Sequence, residues 1–373
     1  MKRRILSLLA LVLLVSNATL AHAATWSTTD LRSGAALPSG TVTVNHVTVT
    51  WQVGNYLSSQ GLRIYGLLCT PTSLPGPHPV AILNHGLEPV QILPPFPFFY
   101  YKAIEGNGWV GCTNMAGSGW LTAITTYRGE MIGDPMNSGF PAPYTTFNET
   151  SDGGLELCLG EVDDVLNLLS AVTALPNANA NQVFMWGHSH GSCITERAIE
   201  RGAKVQVAVS IDGPTDFTTW AGNNPVLAPT VADQDARSSA WATNNPAKLA
   251  TVKFLRIQAE ADAVVPPAQA CELVSQLPGS ANYYLYSAIT PPGVYWGSPK
   301  ECAAYSMPWR KGQLLPDEVP GRQWASPTLL VYSGLTHFTI PEHAWPELRS
   351  FVNAVAGGGA WHASIPSYTP LEN

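Results

Sequence analysis

Ser189 stands in Gly187-His188-Ser189-His190-Gly191, just after the apolar run Val183 to Trp186 and just before a segment of helical periodicity. A G-x-S-x-G spacing between a buried strand and a helix makes a nucleophile elbow. The serine occupies a strained turn, and a side chain two residues either side would collide with it, so Gly187 and Gly191 are required by space. The turn also directs the N–H of His190 at the reacting centre, at the start of a helix where unpaired N–H groups favour negative charge. A serine hydroxyl is a poor nucleophile at neutral pH, so a histidine base and an orienting acid must come from elsewhere. Asp262 follows the apolar run Phe254 to Gln258, and His337 leaves the apolar run Thr328 to Tyr332 on a Gly-containing loop.

Each candidate has rivals. Asp212 also ends an apolar run, and Glu260 is two residues from Asp262. His188 and His190 flank the serine, where a tight turn carries them to either side, and His343 falls within a helical segment. His85, His188 and His190 lack a carboxylate or cysteine to complete a metal site, and no Cys or His spacing suits zinc, so no metal or other cofactor is expected.

The remaining pattern supplies the elements that must hold these groups. Strands are expected over 41–53, 62–69, 79–83, 109–114, 205–211, 254–258, 283–286 and 328–332. An amphipathic helix is expected over 155–172, with Glu161, Asp163 and Asp164 on its solvated face, and further helices over 268–276 and 341–355. Strands alternating with helices predict an α/β fold with a mostly parallel sheet covered on both faces. Residues 213–250 read as a small cap and 290–327 as an insertion, both within one domain spanning 24–373. Trp220, Trp296 and Trp309 are candidate apolar substrate contacts.

At the N-terminus, Lys2, Arg3 and Arg4 precede an apolar core from Ile5 to Val15 and a small-x-small site at Ala21-His22-Ala23. That is the pattern of a signal peptide over 1–23, too short to span a membrane, and it implies export with no stable membrane anchor after cleavage. The formal net charge of −7, more acidic still without the three basic residues, argues against a nucleic-acid partner. The chain carries six cysteines, an even number that in an exported protein suggests disulfides.

His85-Gly86, Tyr127-Arg128-Gly129, the elbow, Asp212-Gly213-Pro214-Thr215-Asp216, Ala261-Asp262 with Val265-Pro266, and Thr336-His337-Phe338 together resemble the α/β-hydrolase superfamily. Within it the chain is most similar to prolyl-oligopeptidase-like and dienelactone-hydrolase-like catalytic domains, from about Leu62 to Val355. The chain order Ser, Asp, His is the superfamily's. The resemblance implies a second oxyanion donor at the N–H of Gly86 or Leu87, beside that of His190. The expected sheet order makes a Cys69–Cys112 bond plausible. Cys158 and Cys193 fall on helices flanking the elbow strand and either pair or stay free and buried. Cys271 and Cys302 bracket the insertion and could pin it. Ser192 and Leu87 stand where many members have glycine, and the tyrosine donor of true prolyl oligopeptidases is not evident. Thr336-His337-Phe338 followed by Pro341 also resembles secreted lipases and polyester hydrolases.

The implied activity is hydrolysis of an ester or amide in a small molecule or peptide through an acyl-enzyme, with catalytic Ser189, Asp262 and His337. An esterase or lipase is favoured over a prolyl-oligopeptidase-like peptidase. An acyltransferase shares the acyl-enzyme, and an inactive binding scaffold would share only the fold.

Overall fold

The computed structural model describes residues 24–87, 98–99, 111–133, 148–220, 230–278, 282–287, 302, 326–355 and 361–366. The expected signal segment, and most of the insertion with Trp296 and Trp309, lie outside these residues.

The strands in chain order are β1 (Ser39–Val44), β2 (Val47–Leu57), β3 (Arg63–Pro71), β4 (His78–Asn84), β5 (Phe98–Phe99), β6 (Leu121–Thr125), β7 (Met131–Gly133), β8 (Asn148–Thr150), β9 (Ala178–His188), β10 (Val207–Ile211), β11 (Lys253–Ala259), β12 (Asn282–Ser287) and β13 (Thr328–Ser333). The helices are α1 (Cys112–Ala116), α2 (Gly160–Thr173), α3 (His190–Glu200), α4 (Phe217–Trp220), α5 (Val231–Arg237), α6 (Ala268–Ser275) and α7 (Ile340–Val355).

Ten strands form one sheet in the order β1-β2-β3-β6-β4-β9-β10-β11-β13-β12, and β5, β7 and β8 form a small second sheet. In the large sheet β1, β2, β3 and β6 pair antiparallel, and every pair from β6 to β12 is parallel. The fold is that of an α/β hydrolase. Strands β4, β6 and β10 are buried along their whole length, as expected where helices cover both faces. Alternation then divides the core in two. Val80 and Ile82 of β4 pack with Val162, Val165 and Leu168 of α2 and Ile194 of α3. Ala81 and Leu83 face the opposite way and pack with Met115 of α1 and Ala344, Leu348 and Phe351 of α7.

Three expectations need correction. The Val/Thr-rich run over 41–53 is not one strand. It folds into the β1–β2 hairpin, turning at Asn45 and His46, both with positive φ (50° and 64°). Two left-handed residues in succession make the tight turn that suits a hairpin, and unbroken alternation hides such a turn in the sequence. The apolar run over 109–114, where it is described from Gly111 on, is not a strand either. Its described part opens α1, and the neighbour of β3 is β6. A short apolar run does not by itself distinguish a strand from a buried helix turn.

The helix expected from Leu155 starts at Gly160 instead, and Leu155 is exposed. The chain first passes through left-handed Leu157 and Cys158 (φ 40° and 62°). Oε1 of Glu161 accepts the N–H of Glu156 and Leu157, at 2.6 and 3.0 Å, and fixes that turn. Glu161 and Asp164 are therefore buried rather than solvated. Asp164 meets Arg128 in a forked pair, Nη2 to Oδ1 at 3.0 Å and Nε to Oδ2 at 3.1 Å, and also accepts the Arg128 N–H at 2.9 Å. These bonds tie the loop after β6 to α2.

Three disulfides join Cys69 to Cys112, Cys158 to Cys193 and Cys271 to Cys302, with Cα–Cα distances of 5.7, 5.8 and 5.6 Å. The first links β3 to α1, and the second links the turn before α2 to α3. Within 213–250, Phe217, Ala240 and Leu249 are buried in the core. Helices α4 and α5 are tied together by the Phe217 N–H donating to Ser238 Oγ at 2.8 Å and by Trp241 Nε1 donating to Asp216 at 2.9 Å. Among the described residues, no helix is long and apolar enough to cross a membrane.

Candidate active site

Strand β9 ends at His188 and α3 begins at His190, so the whole turn between them is Ser189, with φ 54° and ψ −119°. A non-glycine residue at positive φ is costly, and it persists here because both sides of the turn are locked. The Ser189 N–H donates to Ile211 O at 2.8 Å, extending the β9–β10 ladder by one bond. A Cβ on Gly187 would lie 2.0 Å from Gly191 O, and one on Gly191 would lie 2.0 Å from Asn84 O. Both contacts are with backbone, so neither position admits a side chain. Asn84 Nδ2 donates to Thr195 Oγ1 at 2.8 Å, binding the end of β4 to α3.

The three expected groups converge. Ser189 Oγ lies 2.9 Å from His337 Nε2, and His337 Nδ1 lies 2.7 Å from Asp262 Oδ2. Asp262 Oδ1 accepts the N–H of Val264 and of Val265, each at 2.8 Å, so the loop after β11 wraps its carboxylate. Asp262 and His337 are buried. Of the rivals, Asp212 is also present, its Oδ2 at 4.0 Å from His337 Nδ1. Glu260 points away and bonds Ser333 Oγ. His343 is exposed on α7.

The flanking histidines have structural partners. His188 Nε2 donates to His337 O at 3.1 Å, and the two rings lie 4.8 Å apart, so His188 holds the loop that carries His337. Packing under His337 drives the His188 pKa down to about 3, chiefly through loss of hydration. His190 Nε2 accepts the Cys158 N–H at 3.2 Å. Its ring is buried edge-on against Tyr127, and burial lowers its pKa to about 3.

The shift at His190 carries a stability consequence. The folded protein prefers this ring neutral while the unfolded chain titrates near 6.5, so the stabilisation is complete above that pH and is lost as pH falls toward 3. Moving from pH 8 to pH 5 costs about 2 kcal/mol from this one group. Denaturant unfolding at the two pH values measures the loss, and His190→Asn shows a drop smaller by that amount. An equal drop in the variant would assign the acid sensitivity elsewhere.

The expected oxyanion region lies against the elbow. A Cβ on Gly86 would sit 3.5 Å from Ser189 Cβ, so the Gly86 backbone borders the nucleophile. His190, as the first residue of α3, has an N–H with no partner within its helix. Leu87 is half-buried and packs on the core. His85 anchors this loop: Nδ1 lies 2.8 Å from Gly86 O, and Nε2 lies 3.1 Å from Thr125 O and from Glu130 Oε2. Tyr127 donates its O–H to His85 O at 3.2 Å and stacks on the His85 ring at 4.2 Å.

A buried polar group lies beneath α3. Arg256 of β11 bonds Glu196 Oε1, Ser192 Oγ and Ser210 Oγ through Nη1, and Gly213 O and Gln258 Oε1 through Nη2. Gln258 Nε2 then donates to Val265 O at 3.0 Å, so one network spans the elbow helix and the Asp262 loop. An arginine inside an otherwise apolar strand run was its signal in the sequence. Trp220 does not present its indole N–H for substrate, since Nε1 donates to Val264 O at 2.7 Å and braces α4 against the acid loop. Among the described residues, His188, Asp212 and His337 bring ligand atoms within 4.8 Å of one another. His337 in that group already bonds Ser189 and Asp262, which argues for the triad use of the cluster.

Residues 152–293, which include the elbow and the acid loop, match the model of the prolyl oligopeptidase family. The chain is a serine hydrolase with the α/β-hydrolase fold. No curated protein sequence matches this hydrolase. Among solved structures it is similar to an acetyl xylan esterase from Paenibacillus sp. R4, at 12% identity and TM-score 0.48, over 84% of this chain and 88% of that one. Puromycin hydrolase has 12% identity and TM-score 0.49, over 86% of this chain and 41% of that one. The acylaminoacyl peptidase of Pyrococcus horikoshii has 14% identity and TM-score 0.47, over 85% and 41%. The hydrolase thus spans about two fifths of the length of the latter two.

Proposed function

We propose that this hydrolase cleaves carboxylic esters through an acyl-enzyme formed on Ser189. The reading rests above all on the continuous contact from Ser189 Oγ to His337 Nε2, at 2.9 Å, and from His337 Nδ1 to Asp262, at 2.7 Å. His337 takes the hydroxyl proton as Ser189 attacks the carbonyl carbon. It then returns that proton to the leaving oxygen as the carbon–oxygen bond breaks. Asp262 holds the Nδ1–H tautomer and offsets the imidazolium charge. Water, activated by the same imidazole, attacks the acyl-enzyme and releases the acid. The N–H of His190, with that of Gly86 or Leu87, receives the oxyanion and contributes about 3 kcal/mol per donor.

An ester substrate is favoured by Thr336-His337-Phe338 followed by Pro341, which resembles secreted lipases and polyester hydrolases. The family match over 152–293 supports peptidase action as the second reading. A panel of p-nitrophenyl esters of rising chain length, run beside aminoacyl anilides, tests this. Ester rates well above anilide rates are expected, and the reverse order would establish a peptidase. Adding an alcohol acceptor during turnover separates hydrolysis from acyl transfer. Export to an oxidising compartment is part of the proposal, supported by three disulfides and by the N-terminal sequence pattern.

A further inference from the structure

Two carboxyl groups, not one, lie behind His337. Asp262 receives three donors: the N–H groups of Val264 and Val265 on Oδ1, and His337 Nδ1 on Oδ2. Asp212 receives one, the Ala259 N–H on Oδ1 at 2.8 Å. Its Oδ2 is buried with no hydrogen-bond donor, 4.0 Å from the same His337 Nδ1 that Asp262 Oδ2 meets at 2.7 Å. The left-handed backbone at Asp212 (φ 49°), at the end of β10, holds it there.

Among the described residues, no cation is free to neutralise a second charge at this place. Arg256, on the neighbouring β11, directs its guanidinium to Glu196, Ser192, Ser210, Gly213 O and Gln258. His188, facing from the end of β9, donates to His337 O and is kept neutral by burial. Two buried carboxyls that converge on one imidazole nitrogen do not both ionise, and the proton settles on the one with fewer donors. That one is Asp212, whose carboxyl is held well above the ordinary range by burial and by the Asp262 charge beside it.

We propose that Asp212 is a positioning residue: as a neutral carboxylic acid it donates a hydrogen bond from Oδ2 to the Asp262 carboxylate. Asp262 then has four donors and one orientation, and the imidazolium formed during acylation meets one negative charge rather than two. The proton stays on Asp212 throughout, so no step of the reaction passes through it.

The proposal rests on the roles given to Ser189, His337 and Asp262, and the test must separate the two. The readout is the rate of labelling by a fluorophosphonate, which needs no knowledge of the substrate, followed from pH 5 to pH 9. Asp212→Asn keeps both a donor toward Asp262 and an acceptor for the Ala259 N–H. Its plateau rate stays within about tenfold of wild type, and its acid midpoint stays in place. Asp212→Leu removes the donor, and labelling falls by about 10- to 100-fold, the loss of one hydrogen bond to a charged group. Near-UV circular dichroism reports whether each variant is folded, and the near-isosteric amide keeps the test valid if the leucine variant is not. An acid midpoint lowered by about one unit in Asp212→Asn would mean that a negative charge had been removed beside His337, and would overturn the proposal. Wild-type rates in Asp212→Leu, or equally large losses in both variants, would also overturn it. Persistent labelling of Ser189→Ala would instead overturn the serine-hydrolase roles and leave the Asp212 geometry unexplained.

Discussion

Ser189→Ala abolishes ester turnover, with a loss on the order of 10⁴- to 10⁶-fold that leaves only what oxyanion stabilisation and binding supply. No second hydroxyl can take its place. Ser192, one turn into α3, is buried with its Oγ bonded to Ser210 and to Arg256 Nη1. The variant folds, because alanine at the elbow keeps every contact that locks the turn: the N–H to Ile211 O and the glycines at 187 and 191. Substrate binding is retained, so the loss falls on kcat rather than KM. Steady-state kinetics with the best ester of the panel measure it, beside circular dichroism to establish the fold. His337→Ala removes the base in hydrogen-bond contact with Ser189 Oγ and is nearly as damaging.

Asp262→Asn lowers turnover by about 10⁴-fold. The asparagine amide can offer an N–H to His337 Nδ1, which stabilises the tautomer whose proton is on Nε2 and leaves Ser189 without a base. The Val264 and Val265 N–H groups still find an acceptor in the amide oxygen, so the loop stays in place. The contrast with Asp212→Asn is the informative one. Both residues end parallel neighbours in the sheet, yet Asp262 contacts His337 Nδ1 at 2.7 Å and Asp212 at 4.0 Å. A crippling Asp212→Asn with a mild Asp262→Asn would reverse the assignment of the acid and leave Ser189 and His337 in their roles.

The convergence of Ser189, His337 and Asp262 was more legible in the sequence than the scaffold was. An elbow announces itself because its two glycines are forced by backbone contacts at 2.0 Å, and that constraint leaves a mark within five residues. Asp262 and His337 could be singled out because each follows a parallel strand, beyond the carboxyl ends of the strands where an α/β fold gathers its working groups. The burial of Asp164 and Glu161 left no such mark. Carboxylates on an amphipathic helix look solvated until a distant partner is known, and Arg128 is 36 residues away. The placements of His188 and Asp212 depend on which loops converge over the ends of β9, β10 and β11, a property of the assembled sheet. The Asn45-His46 turn and the α1 helix were hidden for a local reason, since apolar alternation and short apolar runs do not report where a chain reverses.

The central claim is that Ser189 becomes covalently acylated, and mapping the adduct tests it most directly. The protein is incubated with a fluorophosphonate, its intact mass is recorded, and the labelled peptide is sequenced by tandem mass spectrometry. One adduct per chain, located on Ser189 and absent when His337 is replaced by alanine, is the result the account predicts. An adduct on another residue, or an enzyme that turns over esters at full rate while Ser189 stays unlabelled, would contradict it.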